Sequence, residues 1–325
     1  MSGQAASGGP QRSRAATLSR RLGPWLLVLG LAVLALGPDY ALGKASLVAT
    51  YAIAGLGVVI IVGQAGQIAL GQGALLALGA YAQALCVAHG LPAPLALPLA
   101  AAAGALGGAL ASLPARRLGG LYFGMSTLAF ALIVEEALVR WESVTHGAAG
   151  MAVGGFAAFG WRAESTFAQA AISLLALALA LLACARLLDS RHGRAWRAVR
   201  DDEIAAAACG IAPAMVKTQA FVVGGALSGL AGGLYAHWIG FISPEQFGLV
   251  LSFELLMLAF IGGARRPAGA VWGALVIVVI PQLIALLRDL LPGDWARAAG
   301  LELLLFGAVI VAVVLLRPAG LADRR

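Results

Sequence analysis

The chain has 325 residues, 61% of them hydrophobic and only 11% charged, with a mean hydropathy of +0.91. That is too little polar surface to wrap a soluble globule, so the chain belongs in a bilayer as a bundle of helices. A formal charge of +7 would suit nucleic acid only if the basic residues gathered on one soluble face, and their distribution excludes that. Cys86, Cys184 and Cys209 are scattered, which supports neither a disulfide framework nor a zinc site, and the absence of Asn excludes Asn-linked glycosylation.

Residues 1–21 are rich in Gly, Ser, Gln and Arg, end on Arg20-Arg21, and are expected to form a disordered cytosolic tail. The apolar run from Trp25 to Leu36 reads as an uncleaved first span. A cleaved signal peptide is the alternative, because Ala41-Leu42-Gly43 resembles a small-residue cleavage site. Apolar runs near the length of a membrane-crossing helix then recur, and spans are predicted at roughly 22–38, 45–62, 69–89, 92–113, 120–140, 166–188, 217–240, 249–263, 268–288 and 298–316. The fold expected is therefore an all-α polytopic integral membrane bundle of about ten transmembrane helices, with both termini cytosolic. Residues 22–321 form its single membrane domain, with a cytosolic loop at 189–216 and a short cytosolic tail at 322–325.

Lysine and arginine test this topology. Seventeen fall on the segments predicted inside and five, Lys44, Arg140, Arg162, Arg288 and Arg297, on those predicted outside. That bias is the one expected of a correctly oriented membrane protein, and it turns the basic excess into a topology signal.

Gly63, Gln64, Gly66, Gln67, Gly71, Gln72, Gly73 and Gly79 crowd the start of the third span. With no strand before it, Gly71-Gln72-Gly73 is a poor phosphate loop. A backbone that bends or breaks because it lines a cavity is the better reading, with Gln64, Gln67, Gly71, Gln72 and Thr127 offered as translocation-path residues and tight packing as the plainer account. Acids inside a membrane usually face a path or a partner. Glu135, Glu136, Glu254 and Glu302 lie in or near spans, and Glu135 and Glu254 are the path candidates; neighbours on a helix point about 100° apart, so Glu136 cannot share a path with Glu135. Gly225, Gly229 and Gly233 repeat every fourth residue, as do Gly104 with Gly108 and Gly269 with Gly273, a spacing that lets helix backbones approach closely. His89, His146 and His237 fall at predicted outer ends with no spacing that would join them in a metal site.

The polar island from Asp189 to Lys217 interrupts this apolar pattern. Asp201, Asp202 and Glu203 suit the positive start of a helix, four alanines propagate it, and Gly210 can take the left-handed stop. A short self-capped helix shown to the cytosol is a natural offer to a partner, with Arg197, Arg200, Asp201, Asp202, Glu203, Ala205, Ala206, Ala207 and Gly210 as its candidate contact residues. Pro213 begins the next helix and Lys217 marks where it enters the membrane. Neither Lys44 nor Lys217 ends a phosphate-loop sequence, so any ATP hydrolysis needs another chain.

Gly63–Tyr81, Gly120–Phe130, Ser190–Phe221, Gly229–Gly233, Ser243-Pro244, Gly262-Gly263 and Arg317–Leu321 together resemble the permease subunits of branched-chain amino-acid ABC importers, and the M-type member of the pair more closely. Two places depart from that pattern: after Gly262-Gly263-Ala264, Arg265-Arg266 stands where the family usually has Gly-Ser or Gly-Thr, and Ala69 replaces a serine. The resemblance implies a transport subunit that is not itself an enzyme and binds no cofactor or metal. It implies a second related permease, two cytosolic ATPase subunits that use ATP, and a periplasmic solute-binding protein, all at a bacterial inner membrane. Urea or short amides carried by the same architecture, and an ion-coupled secondary carrier using Glu135 or Glu254, are the alternatives.

Overall fold

The computed structural model describes residues 39–290 except 117, 119, 159, 160 and 164, together with 307, 308, 311 and 320–322. The tail 1–21, the span 22–38, most of the span 298–316, Glu302 and residues 317–319 and 323–325 lie outside the described residues.

Eight of the predicted spans appear as helices: α1 Asp39–Val58, α2 Gln72–Ala88, α3 Ala93–Ala111, α4 Gly120–Arg140, α5 Thr166–Asp189, α8 Pro213–Ile239, α9 Leu249–Gly262 and α10 Pro267–Leu290. Between α5 and α8 stand α6 Arg191–Asp201 and α7 Glu203–Ala208. Among the described residues six helical segments are long and apolar enough to cross a membrane, and α2 and the start of α10 are shorter apolar helices. The protein is thus an all-α polytopic membrane protein. Local chemistry sets the helix limits. Ser165 caps α5 by accepting from the Ala168 amide, while α8 starts on Pro213 and stops at Gly240 with φ of 74°.

The core is built round α8, which packs against α1, α2 and α3. Its glycines make this possible. A methyl group on Gly229 would fall 2.3 Å from the Ala100 carbonyl oxygen, and one on Gly225 would fall 2.3 Å from that of Gly104. Gly104 and Gly108 of α3 answer from the other side, where added methyl groups would fall 2.2 Å from the Gly225 and 2.1 Å from the Phe221 carbonyl oxygens, so the two spaced sets meet each other. Gly233 of the same row sits against Ala100 and Leu97. At the edge of the bundle Gly262 of α9 meets the backbone of Gly269 in α10, and Gly273 meets that of Leu258.

Side-chain contacts sort the connections into two ends. At one end Ser112 meets Thr218, Gly63 meets Ala264 and Gly66 meets Arg200. This is the end that carries the polar island. At the far end the strand Met151–Ala152 pairs antiparallel with Phe241–Ile242, and His237 Nδ1 donates to the Gly154 carbonyl at 2.9 Å while its Nε2 meets Gln83 Nε2 at 2.9 Å. His237, in the last turn of α8, is buried between these partners.

Candidate transport path and docking helix

The glycine-glutamine stretch is where the membrane domain departs from continuous helix. α1 widens into a π-helical turn over Val59–Gln64, residues 65–71 are non-helical, and α2 begins only at Gln72. The predicted span 69–89 therefore starts in a loop. Gly66, at φ of 69°, takes the left-handed conformation that the turn out of α1 demands.

This loop climbs deep into the bundle. Gln72 stands beside Ser228, Leu76 beside Gly232 and Gln83 beside His237, so α2 runs parallel to α8 and starts at the level of Ser228. Ser228 lies eleven residues from both Lys217 and Ile239, about 16 Å from each along the helix. The backbone is thus broken midway along α8. Non-helical backbone at such depth has to find its partners inside the protein. The Leu70 amide donates to Thr127 Oγ1 at 3.0 Å, the Gly73 amide to Ser252 Oγ at 2.9 Å, and Ser228 Oγ to Gln72 Oε1 at 3.1 Å. Three different helices, α4, α9 and α8, each satisfy one group, and each such bond is worth about 1 kcal/mol net. Gly71 presses on the Thr127 carbonyl, where a methyl group would come within 2.4 Å.

Just beyond the break towards the far end lies an open cavity of about 530 Å³, within the usual range for small-molecule sites. Glu135, Glu245, Glu254, Gln246, Tyr51 and Tyr235 supply its polar lining. The Tyr51 hydroxyl interacts with the Glu254 carboxyl group, and the Glu135 carboxylate lies 3.5 Å from where a Cβ on Gly248 would stand. Glu136 turns away and pairs with exposed Arg140 one turn along α4. The cavity can offer carboxylate and phenol groups to a polar or cationic solute, and its apolar wall includes Leu132, Leu249 and Leu251.

The sequence candidates for the path therefore divide in two. Glu135 and Glu254 line the cavity, whereas Gln67, Gly71, Gln72 and Thr127 build the break below it. Gln64 and Gln67 spend their amides on backbone, donating to the Arg265 and Ala65 carbonyls. Arg265 and its neighbours form the turn between α9 and α10, and through Gln64 that turn is tied to the end of α1. Sequence reasoning missed Tyr51, Tyr235, Ser228 and Ser252. Tyr51 carried a weak signal, a hydroxyl in the middle of an apolar run.

At the island end Asp202 caps α7, its Oδ1 accepting from the Ile204 and Ala205 amides at 2.9 Å each, and Gly210 follows at φ of 82°. The residue types that marked this helix in the sequence do this work. α6 was not expected; its signal was Gly193, Trp196 and Val199 at steps of three, the buried face of a helix whose other side carries arginine. Side chains fasten the pair to the bundle, among them His192 Nδ1 of α6 against Gln219 Oε1 of α8 at 3.3 Å. Lys217 Nζ, almost fully buried, holds both Glu203 oxygens at 2.7 and 2.9 Å, and Arg200 Nη1 donates to the Gly63 carbonyl at 2.8 Å. Lys217 is therefore an anchor for α7 as well as a point on α8. Arg197 turns back on the Leu188 carbonyl, and Arg200 also clasps Asp201. Ala206 faces inward, while Ile204, 84% exposed, and Ala205, Ala207 and Ala208 face out. Among the described residues no three His, Cys, Asp or Glu side chains are close enough to hold a metal ion.

Comparison with known proteins gives this geometry its context. Residues 40–314 match the family described as the permease component of branched-chain amino acid transport systems. The chain is 31% identical over 326 residues to the high-affinity branched-chain amino acid transport system permease protein LivM of Salmonella typhimurium, covering 91% of this chain and 74% of the relative. LivM of Escherichia coli K12 gives the same figures. A shorter likeness, 33% over 125 residues, joins 36% of the chain to 35% of the autoinducer 2 import system permease protein LsrC of Salmonella paratyphi B. No solved structure matches the chain.

Proposed function

The chain belongs to the permease-component family of branched-chain amino acid transport systems, and on that premise we propose that it is the membrane subunit of an ATP-driven importer moving branched-chain or related small amino acids inward. The observation that carries this reading is α7. This short helix stands outside the apolar bundle beside α6, capped by Asp202, ion-paired to α8, and shows Ile204 and three alanines to a partner. A small apolar knob on a polar collar suits a groove in a cytosolic ATPase subunit.

In this reading ten spans place both termini and the loop 189–216 in the cytosol of a bacterium, with 1–21 and 322–325 as tails and 22–321 as the permease domain in the inner membrane. A second related permease completes the path, two ATPase subunits use ATP, and a periplasmic binding protein delivers the solute. Closure of the ATPase pair pushes α7 and rocks the bundle between outward-open and inward-open states. The solute passes from the cavity lined by Glu135 and Glu254 through the break at Gln72.

The test is Ala207→Glu, which puts a charge on the exposed face of α7 without touching its cap or its ion pair. Uptake should fall at least tenfold while the subunit still reaches the membrane in normal amount. Uptake at the unsubstituted rate would sink the docking assignment.

A further inference from the structure

The docking helix is not simply hung from the bundle by its two chain ends. α6 ends at Asp201 and α7 begins at Glu203, with the extended Asp202 as the corner: its amide donates to the Ala198 carbonyl and its own carbonyl accepts from the Ala206 amide. The two helices therefore form one bent unit. Its side-chain anchors on the membrane domain include Glu203 on Lys217, His192 on Gln219, Arg197 on the Leu188 carbonyl and Arg200 on Gly63.

The last anchor is the informative one. Nε and Nη2 of Arg200 hold Asp201 Oδ1 at 2.9 and 2.8 Å, which fixes the plane of the guanidinium and leaves Nη1 aimed at the Gly63 carbonyl. Gly63 belongs to the last turn of the helical segment that ends at Gln64, where carbonyls lose their intrahelical donors and the helix dipole is negative. Arg200 thus caps that end from another part of the chain. Its stem also fills the space beside Gly66, where a methyl group would fall 2.6 Å from Arg200 Cγ. From Gly66 the loop, with Ile68 exposed and Ala69 buried, runs directly to Gln72, and it is held at the top by single hydrogen bonds to Thr127, Ser228 and Ser252. Single bonds to three separate helices are easily exchanged when the loop is pulled.

We propose that Arg200 is a positioning residue that carries the displacement of the docking helix into the loop 65–71, and so sets whether Gln72 stays joined to Ser228 midway along α8. This rests on the reading of α7 as the ATPase docking helix. Arg200 acts inward, through Gly63 and Gly66, and not as a contact to the ATPase.

The experiment uses the complete complex, reconstituted in proteoliposomes, and reads solute uptake against ATP hydrolysed. Arg200→Gln is expected to assemble normally and hydrolyse ATP within twofold of the unsubstituted rate, with uptake per ATP lowered at least tenfold. Arg200→Lys keeps charge and stem, but one ammonium cannot hold Asp201 and Gly63 as a fork; uptake per ATP should fall about threefold, and this variant carries the test if the glutamine form does not accumulate. A conformational readout separates transmission from mere stability. In a chain lacking Cys86, Cys184 and Cys209, Ile68→Cys should react with a maleimide at a rate that changes on adding ATP when Arg200 is present and stays constant in Arg200→Gln. An unchanged uptake per ATP, or labelling that still responds to ATP in Arg200→Gln, overturns this proposal alone. Failure of the unsubstituted chain to bind ATPase subunits overturns the docking reading and this one with it.

Discussion

The α3–α8 interface and the loop 65–71 lie side by side in the same membrane domain and are held by opposite means. Between α3 and α8 the glycines Gly104, Gly108, Gly225 and Gly229 bring two backbones into direct contact, with dispersion spread over a whole face. Between α1 and α2 there is no such face. The connecting stretch buries only the side chains of Ala65, Gln67 and Ala69 and is otherwise held by one hydroxyl from each of three helices, on the Leu70 and Gly73 amides and on the Gln72 side chain. Packed glycine faces have no nearby alternative arrangement, whereas hydroxyl bonds can be traded for others at little cost. The contrast separates the scaffold from the part that we propose moves.

The largest expected effect comes from attacking the scaffold. Gly229→Leu would drive a side chain into the Ala100 carbonyl, and overpacking of this kind costs on the order of several kcal/mol where backbone blocks relief. The variant should fail to accumulate in the membrane, as an immunoblot of membranes would show; normal accumulation would mean that the two helices can part.

Next in size is the anchor of the docking unit. Glu203→Ala leaves the buried Lys217 ammonium without its carboxylate and should cost about 2 kcal/mol. Lys217→Met removes the charge along with the ion pair and should cost clearly less. Thermal melts of the two purified variants decide this; equal losses would show that Lys217 reaches water when unpaired.

Smallest is the effect on the loop. Thr127→Val removes the acceptor of the Leu70 amide and keeps the shape of the side chain, so it should lower stability by about 1 kcal/mol. Its effect on uptake should be larger than its effect on melting, the reverse of what a scaffold residue gives. A melt and an uptake assay on the same preparation compare the two directly.

Much of this was legible in the sequence, for physical reasons that can be named. The limits of α4, α5 and α9 follow from apolar runs that must end where charge or glycine begins, and α7 from an acidic start, an alanine run and Gly210. The break near Gly66 was legible because glycine and glutamine are poor choices for a lipid-facing helix. What the chain order concealed is contact between distant positions. Nothing local to Arg200 says that it reaches Gly63, nothing at Glu254 says that it faces Tyr51, and Gln83 and His237 meet only because α2 and α8 run parallel. α6 was hidden differently: its many arginines masked the spacing of Gly193, Trp196 and Val199, which appears only once a helix is assumed.

The central claim is that this chain works through ATPase partners held at α7. Its most direct test is purification of the tagged chain in mild detergent, with every accompanying chain identified by mass spectrometry. The account expects two phosphate-loop ATPases and a second related permease, all lost or depleted with Ala207→Glu. A chain that came down alone, or only with copies of itself, and still carried out uptake would contradict it.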